Sequence, residues 1–291
     1  MELFPKVPDQ HKVDRPLIPN GLGVLYILFT TVYLFLLYFT GLVGNASDVS
    51  APLTLAACIL FGGFMGLLDD WMDLKWRYKA FMPLIAALPL IYFALANSAT
   101  IRTSISLPLI GTIQFGDWYF YLIIPLIVMI VTNTVNQLGG LNGLESVCPA
   151  IVLIGLMAMS PSYLLMLGPI IFWLVLSALN FTGKIFVGNS GSFAIGMTIA
   201  AFAVISDLKF SLMVAILPYI FNSSIILLSV FFTRKKADVL FDGHKLQSNS
   251  RRSLVTVLTY KRPLSERTVV AIIALIVGLF TLLGALIQVF F

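Results

Sequence analysis

The chain alternates between nine long apolar stretches and shorter polar connections. The apolar stretches run approximately over residues 21–42, 51–68, 81–96, 118–135, 144–160, 163–180, 192–206, 210–232 and 268–291. They are continuous and do not alternate every second residue, which excludes barrel strands and favours helices, because a helix satisfies its own backbone groups in lipid. Several are shorter than the about 20 residues that one span requires, so their ends must extend into polar residues or the helices must be irregular. The pattern predicts an all-α polytopic membrane protein with about nine transmembrane helices.

Composition favours the same class. The 291 residues are 59% hydrophobic and 11% charged, with a mean hydropathy of +0.99, whereas soluble domains average about 45–50% apolar and about 25% charged residues. We therefore expect one integral membrane domain over residues 1–291 and no separate soluble domain. Cys58 and Cys148 lie in or beside apolar segments without a paired spacing, which favours two buried apolar side chains over a disulfide or a zinc site.

Three polar regions interrupt the apolar pattern. Residues 1–20 form a polar leader with four prolines, and residues 233–267 form a loop that carries nine Lys or Arg residues. Residues 100–117 are rich in Ser, Thr and Ile around Pro108 and Gly111, and they predict a small extracytosolic β-hairpin.

The distribution of basic residues predicts the orientation. With the N-terminus in the cytosol, 16 of the 18 Lys and Arg residues fall on the cytosolic side, and Arg102 and Lys209 fall outside. This bias is typical of membrane proteins, so the net charge of +5 reflects topology and not nucleic-acid binding. The polar segments that follow spans two, four, six and eight share the cytosolic side: 69–79, 133–145, 184–192 and 233–252. We expect them to form one cytosolic catalytic face.

The first of these segments is acidic and then basic. Asp69 and Asp73 would share one face of a helix, while Asp70 would point elsewhere. A charge at the bilayer centre costs about 2.5–3.5 kcal/mol, so these carboxylates serve a function or lie at the water boundary. They can approach Mg²⁺ or a lysine that binds phosphate. Alternatively, they form a solvated helix end with ion pairs such as Asp73 with Arg77.

The second segment combines amides with glycines. Its polar and small residues include Asn133, Asn136, Gly139, Gly140, Asn142 and Gly143. Amide oxygens suit Mg²⁺, and glycine lets a ring or a phosphate approach the backbone. Gly139 and Gly143 also have a helix-packing spacing, but three asparagines make packing alone a poor account. For Gly62 and Gly66, which have the same spacing, we favour packing.

The two remaining segments offer anion contacts. The turn at 186–192 opens a helix, and its backbone amides can face an anion at the helix N-terminus. Alternatively, Ser192 is an ordinary N-cap. Arg234 and the two lysines after it can cover a diphosphate. Alternatively, they keep the loop in the cytosol and contact anionic headgroups. The lone histidines, His11 and His244, receive no role.

The segments DDWMDLKWRYK, NTVNQLGGLNGLE and FVGNSGSFAIGMT together resemble those of the polyprenyl-phosphate N-acetylhexosamine-1-phosphate transferases, glycosyltransferase family 4. Their DLxWRxK and NGLE endings are most similar to the eukaryotic and archaeal branch, UDP-N-acetylglucosamine:dolichyl-phosphate N-acetylglucosamine-1-phosphotransferase. The resemblance covers about residue 9 to the C-terminus. It implies transfer of N-acetylglucosamine-1-phosphate from UDP-N-acetylglucosamine to a polyprenyl phosphate of dolichyl type, with release of UMP at the start of lipid-linked glycan synthesis.

By position, the resemblance also implies roles for individual residues. The catalytic positions are Asp69, Asp70, Lys79 and Asn133. The metal positions, for Mg²⁺ with Mn²⁺ as a substitute, are Asn136 and Asn189. The substrate-binding positions are Gly140, Asn142, Phe186, Arg234 and Lys236, with Gly140 and Phe186 on either side of the uracil ring.

The implied partners are a UDP-N-acetylhexosamine, a polyprenyl or dolichyl phosphate and membrane lipid, with no nucleic acid and with a homodimer as an option. The short chain favours an archaeal plasma membrane over the endoplasmic reticulum, with the active site in the cytosol.

Three features depart from the family's pattern. Asn189 stands where the family has a metal-binding Asp, the basic loop lacks the usual His at 234–236, and the polar leader replaces the first of ten spans. Asn189 leaves open a catalytically inactivated or non-catalytic relative that binds nucleotide sugar or lipid phosphate. A transporter is disfavoured, because the polar clusters lie at span ends and no internal repeat is visible.

Overall fold

The computed structural model describes residues 3–43, 49–107, 111–234 and 237–290. This part of the chain is mainly helical. Its helices are α1 (Gly23–Thr40), α2 (Ala51–Met72), α3 (Trp76–Ala86), α4 (Leu88–Ala96), α5 (Ile124–Gln137), α6 (Leu144–Met159), α7 (Leu164–Phe181), α8 (Gly188–Ile205), α9 (Lys209–Ala215), α10 (Leu217–Thr233), α11 (Leu254–Leu258) and α12 (Glu266–Phe290). A π-helical turn, Tyr119–Ile123, precedes α5.

The apolar helices confirm the multi-pass membrane class. Within the described ranges, seven helical segments are long and apolar enough to cross a membrane, and they coincide with predicted spans one to four, six, seven and nine. Span eight is the pair α9 and α10, bent by 53°, with Pro218 at the start of α10. Span five is α6, whose 16 residues cover about 24 Å, less than a hydrocarbon core of about 30 Å. Nine complete crossings therefore stay a prediction.

Helix α8 lies at the centre of the bundle. All residues from 190 to 204 are buried, and α8 packs against α1, α2, α5 and α6. Glycine allows the close approach of α2: a Cβ on Gly66 would lie 2.2 Å from the backbone oxygen of Asn189, and one on Gly62 would lie 2.8 Å from Cβ of Met197. These contacts confirm the packing interpretation of Gly62 and Gly66.

Two small antiparallel sheets mark the opposite ends of α8. The predicted hairpin is confirmed as β3 (Ser104–Leu107) and β4 (Gly111–Gln114), with Pro108 outside the described residues. It packs on α9, beyond the C-terminus of α8. The leader also folds, as β1 (Lys6–Pro8) paired with β2 (Leu17–Pro19), which was not predicted. It lies beside the N-terminus of α8, where Phe186 N–H donates to the carbonyl of Pro19.

The basic loop folds back onto the same end of the bundle as the leader. It contains a short hairpin, β5 (Leu240–Phe241) with β6 (Leu246–Gln247), followed by α11. Asn222 of α10 joins it to α5: its amide nitrogen donates to the carbonyl of Gln137 at 3.2 Å, and its oxygen accepts the N–H of Leu254 at 2.9 Å. The loop is thereby held next to the end of α5.

Candidate active site

An ion pair connects the end of α2 with the start of α3. The chain reverses at Asp73, whose φ is 45°, and Lys79 then places its Nζ 2.7 Å from Oδ1 of Asp69 and 3.8 Å from Oδ1 of Asp73. The alternative expectation was an i,i+4 pair between Asp73 and Arg77 on one helix. Asp73 instead ends α2, and its carboxylate faces Lys79. Asp69 is 3% exposed, and its Oδ2 has no hydrogen-bond partner among the described residues. A buried, partly satisfied carboxylate is thus held against a lysine at the edge of the site.

Asp70 caps helix α8 from a different helix. Its Oδ1 accepts the N–H of Asn189 at 3.0 Å, and its Oδ2 accepts the N–H of Ser190 at 2.9 Å. Free N–H groups and the helix dipole give a helix N-terminus partial positive charge, which a carboxylate stabilises. Asp70 therefore joins the acidic segment to the glycine turn, as expected for segments that share one face.

A hydroxyl joins the two predicted metal positions. Ser192, in the first turns of α8, donates to Oδ1 of Asn136 at 2.6 Å and to the backbone oxygen of Asn189 at 3.2 Å. Asn136 therefore faces the start of α8, where Asn189 lies. The N-cap alternative for Ser192 is wrong, because α8 begins at Gly188 and Ser192 lies within the helix.

Asn133 has a positioning contact. Its side-chain nitrogen donates to the carbonyl of Ala80 at 3.1 Å and to that of Met129 at 2.9 Å. This bridge fixes α5 against α3, one residue from Lys79. The structure thus pairs Asp69 with Lys79, and it brings Asp70 and Asn136 to the start of α8, where Asn189 lies.

The oxygen atoms at the start of α8 are the candidate ligands for a metal ion. The described residues contain no group of three or more His, Cys, Asp or Glu side chains that could hold a metal ion. Oδ1 of Asn136 accepts the hydroxyl of Ser192 at the start of α8, and the carboxylate of Asp70 accepts the backbone N–H of Asn189 there. Mg²⁺ usually takes one or two carboxylates together with substrate phosphates. Carboxylate and amide oxygens are the ligand types that Mg²⁺ takes, and a Mg²⁺ site at these residues stays a prediction.

A cavity of about 210 Å³ opens beside these groups. It is lined by Pro8, Asp9, Gln10, His11, Gly140, Leu141, Asn142, Glu145 and Phe186. Three predicted substrate-binding residues, Gly140, Asn142 and Phe186, therefore share one wall. Gly140 has a φ of +106°, and a Cβ there would meet no atom within 4 Å, so its backbone leaves room for a flat ring. The leader supplies four of the lining residues, including His11, to which sequence analysis assigned no role.

Asn142 connects the cavity to the leader and to α12. Its side-chain nitrogen donates to Oδ2 of Asp9 at 2.7 Å, and its backbone N–H donates to Oε1 of Glu266 at 2.8 Å. Oε2 of Glu266 in turn pairs with Nζ of Lys12 at 2.6 Å. The side-chain oxygen of Asn142 is buried without a partner among the described residues, so it is an acceptor that a ligand N–H can satisfy.

Sequence reasoning missed Asp9, Glu266 and Asn180. Asn180, fully buried in α7, accepts the N–H of Gly143 and the hydroxyl of Ser146 through Oδ1, both at 2.8 Å, and donates to the carbonyl of Ile185 at 3.0 Å. It thereby fixes the start of α6 against the turn before α8. An asparagine inside an apolar stretch is an available signal, because a polar side chain in lipid needs a partner. Asp9 and Glu266 carried no such signal, since each lies in a charged segment.

The predicted basic contacts are only partly described. Arg234 ends α10 with a φ of 52° and is exposed, and Lys236 lies outside the described residues. Farther along the loop, the N–H groups of His244 and Lys245 donate to Asp242 at 3.0 and 2.7 Å, and these bonds lower the pKa of the Asp242 carboxyl. The roles of Arg234 and Lys236 stay predictions.

Comparison with known proteins identifies the family of this chain. A family model described as glycosyl transferase family 4 matches residues 52–207. A Saccharolobus solfataricus protein, provisionally named UDP-N-acetylglucosamine–dolichyl-phosphate N-acetylglucosaminephosphotransferase, is 32% identical over 226 residues, covering 73% of this chain and 66% of its own length.

Two further relatives show the range of the similarity. The Schizosaccharomyces pombe UDP-N-acetylglucosamine–dolichyl-phosphate N-acetylglucosaminephosphotransferase is 25% identical over 266 residues, covering 74% of this chain and 58% of its own length. The phospho-N-acetylmuramoyl-pentapeptide-transferase of Prochlorococcus marinus is 28% identical over 254 residues, covering 78% and 64%. The chain thus spans between 58% and 66% of the length of these three relatives.

Proposed function

The chain belongs to glycosyl transferase family 4, and from this premise we propose that it transfers N-acetylglucosamine-1-phosphate from UDP-N-acetylglucosamine to a polyprenyl phosphate of dolichyl type. The products are UMP and a lipid-linked sugar diphosphate. The names of the archaeal and eukaryotic relatives support these two substrates. The proposed reaction begins the synthesis of a lipid-linked glycan.

One observation carries the proposal: a carboxylate–lysine pair, an amide cluster and a cavity with a free acceptor lie at the same end of a membrane bundle. Asp69 pairs with Lys79, Asn136 reaches the start of α8 through Ser192, and Asn142 lines the cavity. A phosphoryl transfer at a membrane surface needs these elements: cations and donors for phosphate, and a recognition pocket for the leaving nucleotide.

The cavity suits the uracil ring. The ring would lie between the bare backbone of Gly140 and the side chain of Phe186, and its imide N–H would donate to the unpartnered oxygen of Asn142. A buried acceptor left unpaired costs about 1–3 kcal/mol, so a base that supplies the N–H is favoured over one that lacks it.

The chemistry is a displacement at phosphorus. An oxygen of the lipid phosphate attacks the β-phosphorus of the nucleotide sugar, the bond between that phosphorus and the bridging oxygen breaks, and UMP leaves with the bridging oxygen. Lys79 is the cation that compensates charge on the phosphates, and Asp69 holds Lys79 in position through the 2.7 Å contact. A phosphate monoester is largely ionised at neutral pH, with a second pKa near about 6, so Asp69 need not act as a strong base.

Magnesium is the proposed cofactor, with Mn²⁺ as a substitute. Asn136 and Asn189, with the carboxylate of Asp70 beside them, would hold it together with the diphosphate, and it would neutralise charge on the phosphate oxygens. Since Asn189 N–H donates to Asp70, an aspartate at position 189 would add a second carboxylate next to Asp70. We expect metal affinity to rise accordingly in Asn189→Asp. No described contact favours the inactivated or non-catalytic relative over the enzyme.

The test is transfer of radiolabelled sugar phosphate from several UDP-sugars into polyprenyl phosphate, with Mg²⁺ titrated in the native chain and in Asn189→Asp. We expect transfer by both, a preference for UDP-N-acetylglucosamine, and half-maximal activity at lower Mg²⁺ in the variant. Transfer by Asn189→Asp alone would support an inactivated chain. Nucleotide-sugar binding without transfer in either protein would refute the proposed reaction.

The orientation and the membrane are part of the same proposal. We propose a cytosolic active site, because the leader, the start of α3 and the loop after α10 carry most of the basic residues, in agreement with the positive-inside bias. An archaeal plasma membrane is supported by two archaeal relatives that are 32% and 31% identical, against 25% for the fission yeast relative. A homodimer stays a prediction.

A further inference from the structure

A second cavity lies at the other end of α8, away from the candidate active site. Helix α8 has 18 residues, so its two ends are about 27 Å apart. The residues that line this cavity of about 100 Å³ include Arg102, Ser104, Ser106, Asp207, Lys209 and Ile287. We call it the distal cavity. Nothing in the proposed reaction uses these residues.

Lys209 gives the distal cavity a fixed positive charge. It is 5% exposed, and its Nζ lies 2.5 Å from Oδ1 of Asp207, donates to the carbonyl of Arg102 and lies 4.6 Å from the centre of the Tyr119 ring. These contacts use the donors of Lys209 internally. The negative charge of Asp207 is therefore neutralised by a buried lysine.

Arg102 keeps its hydrogen-bond donors available. Its side chain is 80% exposed, and its Nε lies 3.7 Å from Oδ2 of Asp207, beyond hydrogen-bond distance. An exposed ion pair of this kind holds a side chain weakly. Since Lys209 already balances Asp207, the cluster of two cations and one carboxylate carries one net positive charge, and the guanidinium of Arg102 is the group free to bind an anion.

Arg102 and Lys209 both lie at the end of the bundle that is predicted to be extracytosolic. The positive-inside bias disfavours Lys and Arg on the outer side, and the sequence leaves two there, Arg102 and Lys209. The fold brings both to one cavity. Its other walls combine the hydroxyls of Ser104 and Ser106 with the apolar side chain of Ile287, which lies near the end of the membrane-spanning helix α12. A polar, positive floor next to an apolar rim matches a phosphate attached to hydrocarbon.

We propose that the distal cavity binds a phosphate group, which the guanidinium of Arg102 contacts with two N–H donors while Lys209 neutralises the neighbouring carboxylate of Asp207. The planar guanidinium has the geometry for such bidentate binding. Two sources share this chemistry, an anionic lipid headgroup and free phosphate, and the apolar rim favours the lipid. This inference does not depend on the proposed transferase activity.

The test measures lipid binding by the purified full chain in detergent. Native mass spectrometry with phosphatidylglycerol gives the dissociation constant of the first bound lipid for the native chain and for Arg102→Gln, Arg102→Lys and Lys6→Gln. Lys6 is exposed on β1 at the opposite end of the bundle, so Lys6→Gln is a charge-matched control. We expect about tenfold weaker binding for Arg102→Gln, an intermediate loss for Arg102→Lys and no change for Lys6→Gln.

Two further measurements complete the test. Because Arg102 is largely exposed, we expect Arg102→Gln and the native chain to unfold at the same temperature when no lipid is added. Added phosphatidylglycerol should raise the unfolding temperature of the native chain more than that of the variant. Competition by inorganic phosphate would support the phosphate site with a free anion as occupant, and its failure to compete would support the lipid. Equal affinity of Arg102→Gln and Lys6→Gln for phosphatidylglycerol, with no competition by phosphate that depends on Arg102, would overturn the proposal.

Discussion

Glu266 connects three parts of the candidate active site, and its replacement tests how the leader forms the cavity wall. Its carboxylate accepts the backbone N–H of Asn142 at 2.8 Å and pairs with Lys12 of the leader at 2.6 Å. Asn142 in turn binds Asp9 of the leader. Glu266→Ala removes both acceptors, whereas Glu266→Gln keeps an oxygen for Asn142 and removes only the charge opposite Lys12.

The contacts set the expected magnitudes. A buried N–H left without an acceptor costs about 1–3 kcal/mol, and the side chain of Lys12 is 43% exposed, so its ion pair contributes roughly 0.2–1 kcal/mol after solvent screening. We therefore expect Glu266→Ala to lower the free energy of unfolding by about 1–4 kcal/mol and Glu266→Gln by about 1 kcal/mol or less. Lys12→Met should resemble Glu266→Gln, because both remove the same pair.

The assay has two parts. Thermal unfolding in detergent reports stability, and calorimetric titration with UDP-N-acetylglucosamine reports the affinity of the cavity. If the leader is displaced, the cavity loses four of its lining residues. We therefore expect nucleotide binding to be about tenfold weaker in Glu266→Ala, which corresponds to about 1.4 kcal/mol. The change in Glu266→Gln should be smaller. If Glu266→Ala and Glu266→Gln were equal in both measurements, the bond to Asn142 would not hold the cavity as described.

Three other substitutions test the supports of the site. Gly66→Ala places a Cβ 2.2 Å from the backbone of α8, and we expect a loss of about 1–3 kcal/mol in unfolding, whereas Gly278→Ala, whose Cβ meets its nearest atom at 3.9 Å, should leave stability unchanged or raise it. Lys79→Met leaves the buried carboxylate of Asp69 without its cation; we expect a loss of about 3 kcal/mol and no detectable sugar-phosphate transfer. Asp70→Ala removes the acceptor of two N–H groups of α8, which should cost about 0.5–2 kcal/mol and increase amide exchange at the start of α8.

The helices were predictable because each must be continuous and apolar to exist in lipid. Breaks within them were not, since the 53° bend between α9 and α10 depends on how neighbouring helices pack. The hairpin at 100–117 was predictable from its turn residues. The leader pairing of β1 with β2 was not, because three-residue strands carry too little pattern to distinguish them from a coil.

The candidate site divides in the same way. Residues such as Asp70 and Asn136 could be chosen from the sequence, because polar groups at span ends on one face are unusual in an apolar chain. The contacts they make could not, since Asp70 reaches α8 across 119 positions and Asn136 reaches Ser192 across 56. Glu266, 124 positions from its partner Asn142, was not recognised at all, because a carboxylate at the start of a helix is ordinary.

The most direct test of the central claim follows the β-phosphorus. UDP-N-acetylglucosamine labelled with ³²P at the β-phosphate is incubated with the purified chain, polyprenyl phosphate and Mg²⁺, and the label and the released nucleotide are both quantified. We expect the label to enter the lipid fraction, with one UMP released for each labelled lipid. Label that stays in the nucleotide fraction as UDP while sugar enters the lipid would contradict attack at phosphorus.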